Sequence, residues 1–240
     1  MADIRLYISG PLAAERVLPL DNVQSNYLFG VMRRKLGDTL RVFDGESGEW
    51  LAEVAKANKR NGLLVCKQPV GPQLSPPDLW LLFAPVKKAR TAFIVEKAVE
   101  MGVRAVHPVI TDYTNERMNV GRMQAHAVEA AEQCGATFVP EVAEPVKLAD
   151  MLAGWPKSRK LMFCDEGRSA LPVAKALAGE PTGPWAIIIG PEGGFSPEEV
   201  TALRGLEAVT SVTLGPRILR ADTAAVAALT AWQMVLGDWR

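Results

Sequence analysis

Ile188-Ile189-Gly190-Pro191-Glu192-Gly193-Gly194-Phe195-Ser196-Pro197-Glu198-Glu199-Val200 decides how the second half of this chain is read. The apolar residues before Gly190 have the length of a buried strand, the glycines let backbone approach a ligand, and a helix begins at once afterwards. That helix start is unusually complete. Ser196 stands as N-cap, Pro197 as the first helical residue and Glu199 as the capping-box partner, with Phe195 and Val200 spaced for a hydrophobic staple. A glycine-rich loop can also be a simple turn, and here no Gly-Lys-Ser/Thr follows and the dinucleotide glycine spacing is missing. Both absences argue against a nucleoside-triphosphate site.

A second stretch, Leu214-Gly215-Pro216-Arg217-Ile218-Leu219-Arg220-Ala221-Asp222-Thr223-Ala224, again follows a strand and leads into an alanine-rich helix, for which Asp222 is the expected cap. Two such loops after late strands suggest one ligand crevice at the carboxyl edge of an open α/β sheet. Arg217 and Arg220 would flank it, suited to a phosphate or a developing anion.

Outward from these loops, strands and helices alternate from Leu79 onward. Strands are predicted at Leu79–Ala84, Ala105–Val109, Phe138–Val142, Lys160–Asp165, Trp185–Gly190 and Ser211–Leu214. Helices are predicted near Thr91–Met101, Gly121–Cys134, Lys147–Ala153, Pro172–Ala178, Pro197–Leu206 and Thr223–Leu236. That rhythm is an α/β domain with a mainly parallel sheet. Before it, Pro69 to Pro77 carries four prolines and a glycine and reads as the linker. The first 70 residues instead hold short β-type runs, Ile4–Ile8, Thr39–Phe43, Trp50–Val54 and Gly62–Cys66, with a helix from Val23 to Arg34, which suggests a small barrel. The organisation expected is therefore residues 1–70, a linker at 71–77 and an α/β domain at 78–240.

At 48% hydrophobic and 22% charged, the 240 residues have ordinary globular composition. No apolar run is long enough to span a bilayer and the opening residues lack a signal-peptide core, which points to the cytoplasm and away from membranes. The three cysteines are widely spaced and the two histidines have no partner at useful spacing, so no metal site is expected. Net charge is zero, so a nucleic-acid surface must be local. Arg33, Arg34 and Lys35 form one basic cluster, and Lys87, Lys88 and Arg90 another, each a candidate for RNA contact or simply a solvated face.

The two late stretches together resemble the signature of the RsmE family, small-subunit ribosomal RNA methyltransferases of the SPOUT superfamily that make 3-methyluridine. Phe93-Ile94-Val95-Glu96-Lys97-Ala98-Val99-Glu100-Met101-Gly102, Ala131-Glu132-Gln133-Cys134-Gly135, Asn26-Tyr27-Leu28-Phe29-Gly30-Val31-Met32-Arg33 and Val42-Phe43-Asp44-Gly45 extend the likeness over nearly the whole chain. Tyr27, Ala136 and Asp222 stand where the family more often has histidine, arginine and glutamate.

That resemblance implies a PUA-like barrel followed by an α/β trefoil-knot domain, a homodimer, S-adenosylmethionine as cofactor, and ribosomal RNA or the assembled small subunit as substrate. It places the cofactor against Ile189, Gly190, Glu192, Gly193, Gly194, Leu214, Gly215, Ile218, Leu219 and Arg220. Methylating N3 of uridine requires loss of a proton and an unpaired base, and the anion formed calls for nearby cations. Arg217 or Arg220 fits that role, and Glu192 is a candidate proton acceptor or an orderer of its loop. Two alternatives stay open on residues alone: a non-catalytic RNA-binding assembly factor, and an α/β enzyme acting on a phosphorylated metabolite.

Overall fold

The computed structural model describes residues 4–165, 167 and 170–240 and divides the chain into two compact units. The first comprises the N-terminal segment through Ser75 together with Ala131–Phe138; the second comprises Pro76–Ala130 and Val139–Arg240.

In the first unit, β1 (Arg5–Tyr7), β2 (Val17–Pro19), β3 (Thr39–Phe43), β4 (Glu49–Lys56) and β5 (Leu63–Gly71) form a sheet in the order β1-β3-β4-β5-β2. Only the β1–β3 ladder is parallel. Leu6, Leu40, Val42, Ala52, Val54, Leu64 and Cys66 alternate along these strands into one buried cluster, the period of two that a one-faced sheet requires. Strand β5 does not stop at the prolines but continues past Pro69 to Gly71. Pro69 lies beyond the residues paired with β2 and beside a register shift opposite Trp50, a place where its missing N–H leaves no gap in the ladder.

The helix predicted over Val23–Arg34 is two pieces. Helix α1 (Asn22–Asn26) starts on a capping box between Asp21 and Gln24, and a π-helical turn follows over Tyr27–Val31. The wider turn brings both Leu28 and Phe29 into the core. Arg33, at φ +53°, ends it.

Ala131–Phe138 is held in this unit by Arg5. Its guanidinium donates to the carbonyls of Ala131 (2.8 Å), Glu132 (3.1 Å) and Ala136 (2.9 Å), pairs with Glu49 at 2.6 Å and lies over the Phe43 ring. Three carbonyls at and just past a helix end thereby gain a donor.

The second unit consists of β6 (Leu79–Phe83), α2 (Lys88–Glu100), β7 (Ala105–Ile110), α3 (Val120–Cys134, whose last turn belongs to the first unit), β8 (Glu141–Val142), β9 (Val146–Lys147) and α4 (Leu148–Ala153). It continues with β10 (Lys160–Cys164), β11 (Leu171–Pro172), α5 (Val173–Leu177), β12 (Trp185–Ile189), α6 (Pro197–Gly205), β13 (Val209–Thr213) and α7 (Ala221–Val235). The sheet order is β11-β13-β10-β12-β6-β7-β8, with β9 also on β7, and every ladder is parallel. All five residues of β12 are buried, as expected of a central strand covered on both faces. Helix α7 packs with α2 and α5, and α4 with α6.

The strand predicted over Phe138–Val142 shrinks to Glu141–Val142, because Pro140 offers no N–H to a ladder. Helix α7 begins at Ala221 with Arg220 in the capping position and no side-chain cap, so Asp222 sits inside the first turn rather than before it. Its charge still suits the positive end of the helix. No helix among the described residues is long and apolar enough to cross a membrane.

Candidate active site

The carboxyl ends of β10, β12 and β13, three neighbouring parallel strands, open onto one cavity of about 420 Å³. That is the place where open α/β sheets bind ligands, and a volume suited to a small molecule.

The loop after β12 forms one wall. Ser196 accepts from the Glu199 amide at 3.3 Å while the Glu199 carboxylate accepts from the Ser196 amide at 2.9 Å, so the capping box is complete. A clamp from outside the motif secures it. The Ser196 hydroxyl donates to the Asp112 carboxylate at 2.6 Å, and the Asp112 amide donates to Glu199 at 2.9 Å. Phe195 meets Phe163 edge to face at 5.5 Å, and both Phe195 and Val200 pack against the same buried cluster. Such a ring pair is worth roughly 0.5–1.5 kcal/mol beyond its burial.

The glycines have internal reasons to be glycines. A Cβ on Gly190 would come within 2.8 Å of the Phe195 ring, and one on Gly193 within 3.3 Å of the Tyr113 Cβ. Gly194 takes φ +72°, which a side chain disfavours.

The second wall is the loop from Thr213 to Arg220. The Gly215 amide donates to Thr213 Oγ1 at 3.3 Å, with Gly215 at φ +122°. Of the residues expected to hold cofactor, Ile189, Gly190, Glu192, Leu214, Gly215, Ile218, Leu219 and Arg220 all border the cavity, as does Arg217. Gly193 and Gly194 are not part of its wall; the first faces Tyr113 and the second serves the turn.

Lys87 and Arg90, predicted as RNA contacts, also border the cavity, whereas Lys88 does not. Arg90 is engaged: it bonds the Glu192 carboxylate and lies 3.8 Å from that of Asp222. Arg217 and Arg220 are exposed and make no ion pair with the described residues. Arg33 and Lys35, both exposed, and half-buried Arg34 follow the π-helical turn of the first unit.

Cys164, Asp165 and Thr213 join the wall without having been singled out as site residues from sequence, and so does Phe195, which was read there only as half of a hydrophobic staple. Each lies at or just past the end of a strand or loop whose neighbours were singled out, so strand-end position is the signal that could have found them. Burial pushes the Cys164 thiol up to about 12, which rules out a thiolate nucleophile near neutral pH. Asp165 is buried and committed to Arg204 at 2.6 Å. His126 pairs with Glu96 at 3.0 Å, and the His107 ring packs at a tilt against Trp80 with centroids 4.4 Å apart, both away from the cavity wall.

The donor set fits S-adenosylmethionine. Ile189, Leu214 and Leu219 offer apolar surface for a purine, the two loops offer backbone groups, and Arg217 and Arg220, without an ion pair among the described residues, offer positive charge for the carboxylate.

Residues 73–233 match the RNA methyltransferase domain family, and residues 20–65 match the RNA methyltransferase PUA domain. The ribosomal RNA small subunit methyltransferase E of Rickettsia conorii is 30% identical over 232 residues, covering 94% of this chain and 93% of that protein. The chain belongs to the RsmE family of RNA methyltransferases.

Structures bear this out. The ribosomal RNA small subunit methyltransferase E of Neisseria gonorrhoeae, solved with bound S-adenosylmethionine, superposes with a TM-score of 0.89 at 25% identity, over 99% of this chain and all of that one. A Legionella pneumophila structure, also with S-adenosylmethionine bound, superposes with a TM-score of 0.88 at 28% identity and the same coverage. The α/β class and the PUA-like character of the first unit expected from sequence hold, and S-adenosylmethionine is the cofactor of this family.

Proposed function

We propose that this RsmE-family protein transfers a methyl group from S-adenosylmethionine to N3 of a uridine in small-subunit ribosomal RNA, giving 3-methyluridine. The observation that carries the reading is the convergence of the two family loops on one cavity at the carboxyl ends of β10, β12 and β13. The first unit would bind RNA, using Arg33, Arg34 and Lys35, and the second would carry the chemistry, with Lys87 and Lys88 as further RNA contacts. We place the protein in the cytoplasm as a homodimer.

The bound cofactor supplies an electrophilic methyl carbon on a sulfonium. In the transfer, the N3–carbon bond forms, the carbon–sulfur bond breaks to leave a neutral thioether, and the N3 proton passes to an acceptor. N3–H lies in the pairing edge of uracil, so the base must be unpaired or swung out. Arg217 and Arg220, exposed and without a carboxylate partner among the described residues, would stabilise the anion spread over the ring carbonyls. Two carboxylates border the cavity among the described residues. Asp165 is spoken for by Arg204, and Glu192, whose side chain is half exposed, is the one a substrate can reach.

The test is a transfer assay with methyl-labelled S-adenosylmethionine on naked ribosomal RNA and on small subunits from cells lacking the gene, read by nucleoside mass spectrometry. Labelled 3-methyluridine is the expected product. A different methylated nucleoside, or no transfer to either substrate, would overturn the assignment.

A further inference from the structure

Arg90 comes from the first turn of α2, yet its two carboxylate partners belong to the two sides of the cavity. Glu192 belongs to the loop after β12, and Asp222 to the first turn of α7 just beyond the second loop. Among the described residues, Arg90 alone ties Glu192 to Asp222 by hydrogen bond or ion pair. The two walls are separate in sequence and each is braced from its own side: Asp112 and Glu199 hold the first, and Thr213 holds the turn of the second.

We infer that Arg90 is a positioning residue, a two-armed clamp that fixes the separation of the two loops and so pre-shapes the cavity for cofactor. The inference rests on the proposed reading of that cavity as the S-adenosylmethionine site. Its physical basis is preorganisation. A loop already held in the bound geometry loses less freedom when the ligand arrives, so affinity rises without any new contact to the ligand. Guanidinium suits the task because its planar fork reaches two carboxylates at once, which the single ammonium of lysine does poorly. The pairs are partly exposed, with side-chain exposures of 27% for Arg90, 48% for Glu192 and 23% for Asp222, so the effect is modest and weakens with salt. An arginine so engaged is also not free for a phosphate, which separates this role from an RNA contact.

The experiment is calorimetric titration of the full chain with S-adenosylmethionine for the wild type, Arg90→Ala, Arg90→Lys, Glu192→Gln and the Arg90→Ala/Glu192→Gln double variant, with RNA affinity and melting temperature measured on each. Arg90→Ala is expected to weaken cofactor binding roughly five- to tenfold, with Arg90→Lys recovering part of it. The double variant is expected to bind no more weakly than the worse single one, and RNA affinity to change less than twofold. Glu192→Gln reports on the same clamp from its other side should Arg90→Ala fold poorly. Wild-type binding together with unchanged affinity in both single variants overturns the clamp alone. So do additive losses in the double variant, or a loss confined to RNA binding. A wild type that does not bind S-adenosylmethionine overturns the proposed function and the clamp with it.

Discussion

Replacing Ser196 separates a local helix cap from the tertiary clamp built on it. Ser196→Ala removes the acceptor for the Glu199 amide and the donor to Asp112. A lost N-cap costs about 1 kcal/mol. The hydroxyl-to-carboxylate bond adds about 1 kcal/mol more, discounted because Asp112 is exposed and regains water. A total of about 2 kcal/mol should lower the melting temperature by roughly 4–8 °C in a chain of this size. Ser196→Asp is the sharper test. On helix-capping scales Asp equals Ser, so an isolated cap would be kept. Here the new carboxylate would face those of Asp112, now 2.6 Å from the hydroxyl, and Glu199, 2.9 Å from the Ser196 amide. Each such pair costs roughly 1 kcal/mol even in a water-like dielectric. Scanning calorimetry should therefore find Ser196→Asp at least as destabilised as Ser196→Ala. A Ser196→Asp variant melting within about 1 °C of wild type would refute the clamp and leave only the cap.

Three further outcomes follow from other parts of the molecule. Arg5→Met strips donors from three carbonyls and leaves buried Glu49 with Arg41 alone, so chemical denaturation should show a loss of about 3 kcal/mol; a loss below about 1 kcal/mol would mean that Arg5 does not hold Ala131–Phe138. Burial and then the charge of Arg159 hold the His107 imidazole below its ordinary 6.5, so the unfolded chain takes up that proton first. Stability should accordingly fall as pH drops below about 6.5, and His107→Asn should flatten that slope; an unchanged slope removes His107 from the acid response. Glu192→Gln should lower methyl-transfer turnover and shift its pH profile if Glu192 accepts the N3 proton, whereas intact turnover with an intact profile would reassign it to the loop alone.

Much of the second unit was legible because its signals are short-range. The capping box at Ser196, the Pro197 start and the fully apolar β12 are patterns within a few residues, and the structure keeps all three. The first unit was read less well for the same reason. Nothing within the Val23–Arg34 window shows that Leu28 and Phe29 must both face the core, and it is that demand that widens the turn into a π-helix. Asp222 was misplaced as a cap because capping residues and first-turn acidic residues are chemically alike, and one position separates them.

By itself the sequence determined the α/β rhythm after Leu79, the two loops that would meet a ligand and, through its likeness to the RsmE family, the reaction to test. Tertiary structure alone decided which groups share the cavity. Asp112 reaches Ser196 across 84 positions and Arg90 reaches Glu192 across 102. It alone decided what a side chain on Gly190 or Gly193 would meet, the Phe195 ring for the first and the Cβ of Tyr113 for the second. The physical reason is range: hydrogen-bond periodicity and capping act over one helical turn, whereas ion pairs and packing join whatever the folded backbone brings within a few ångströms.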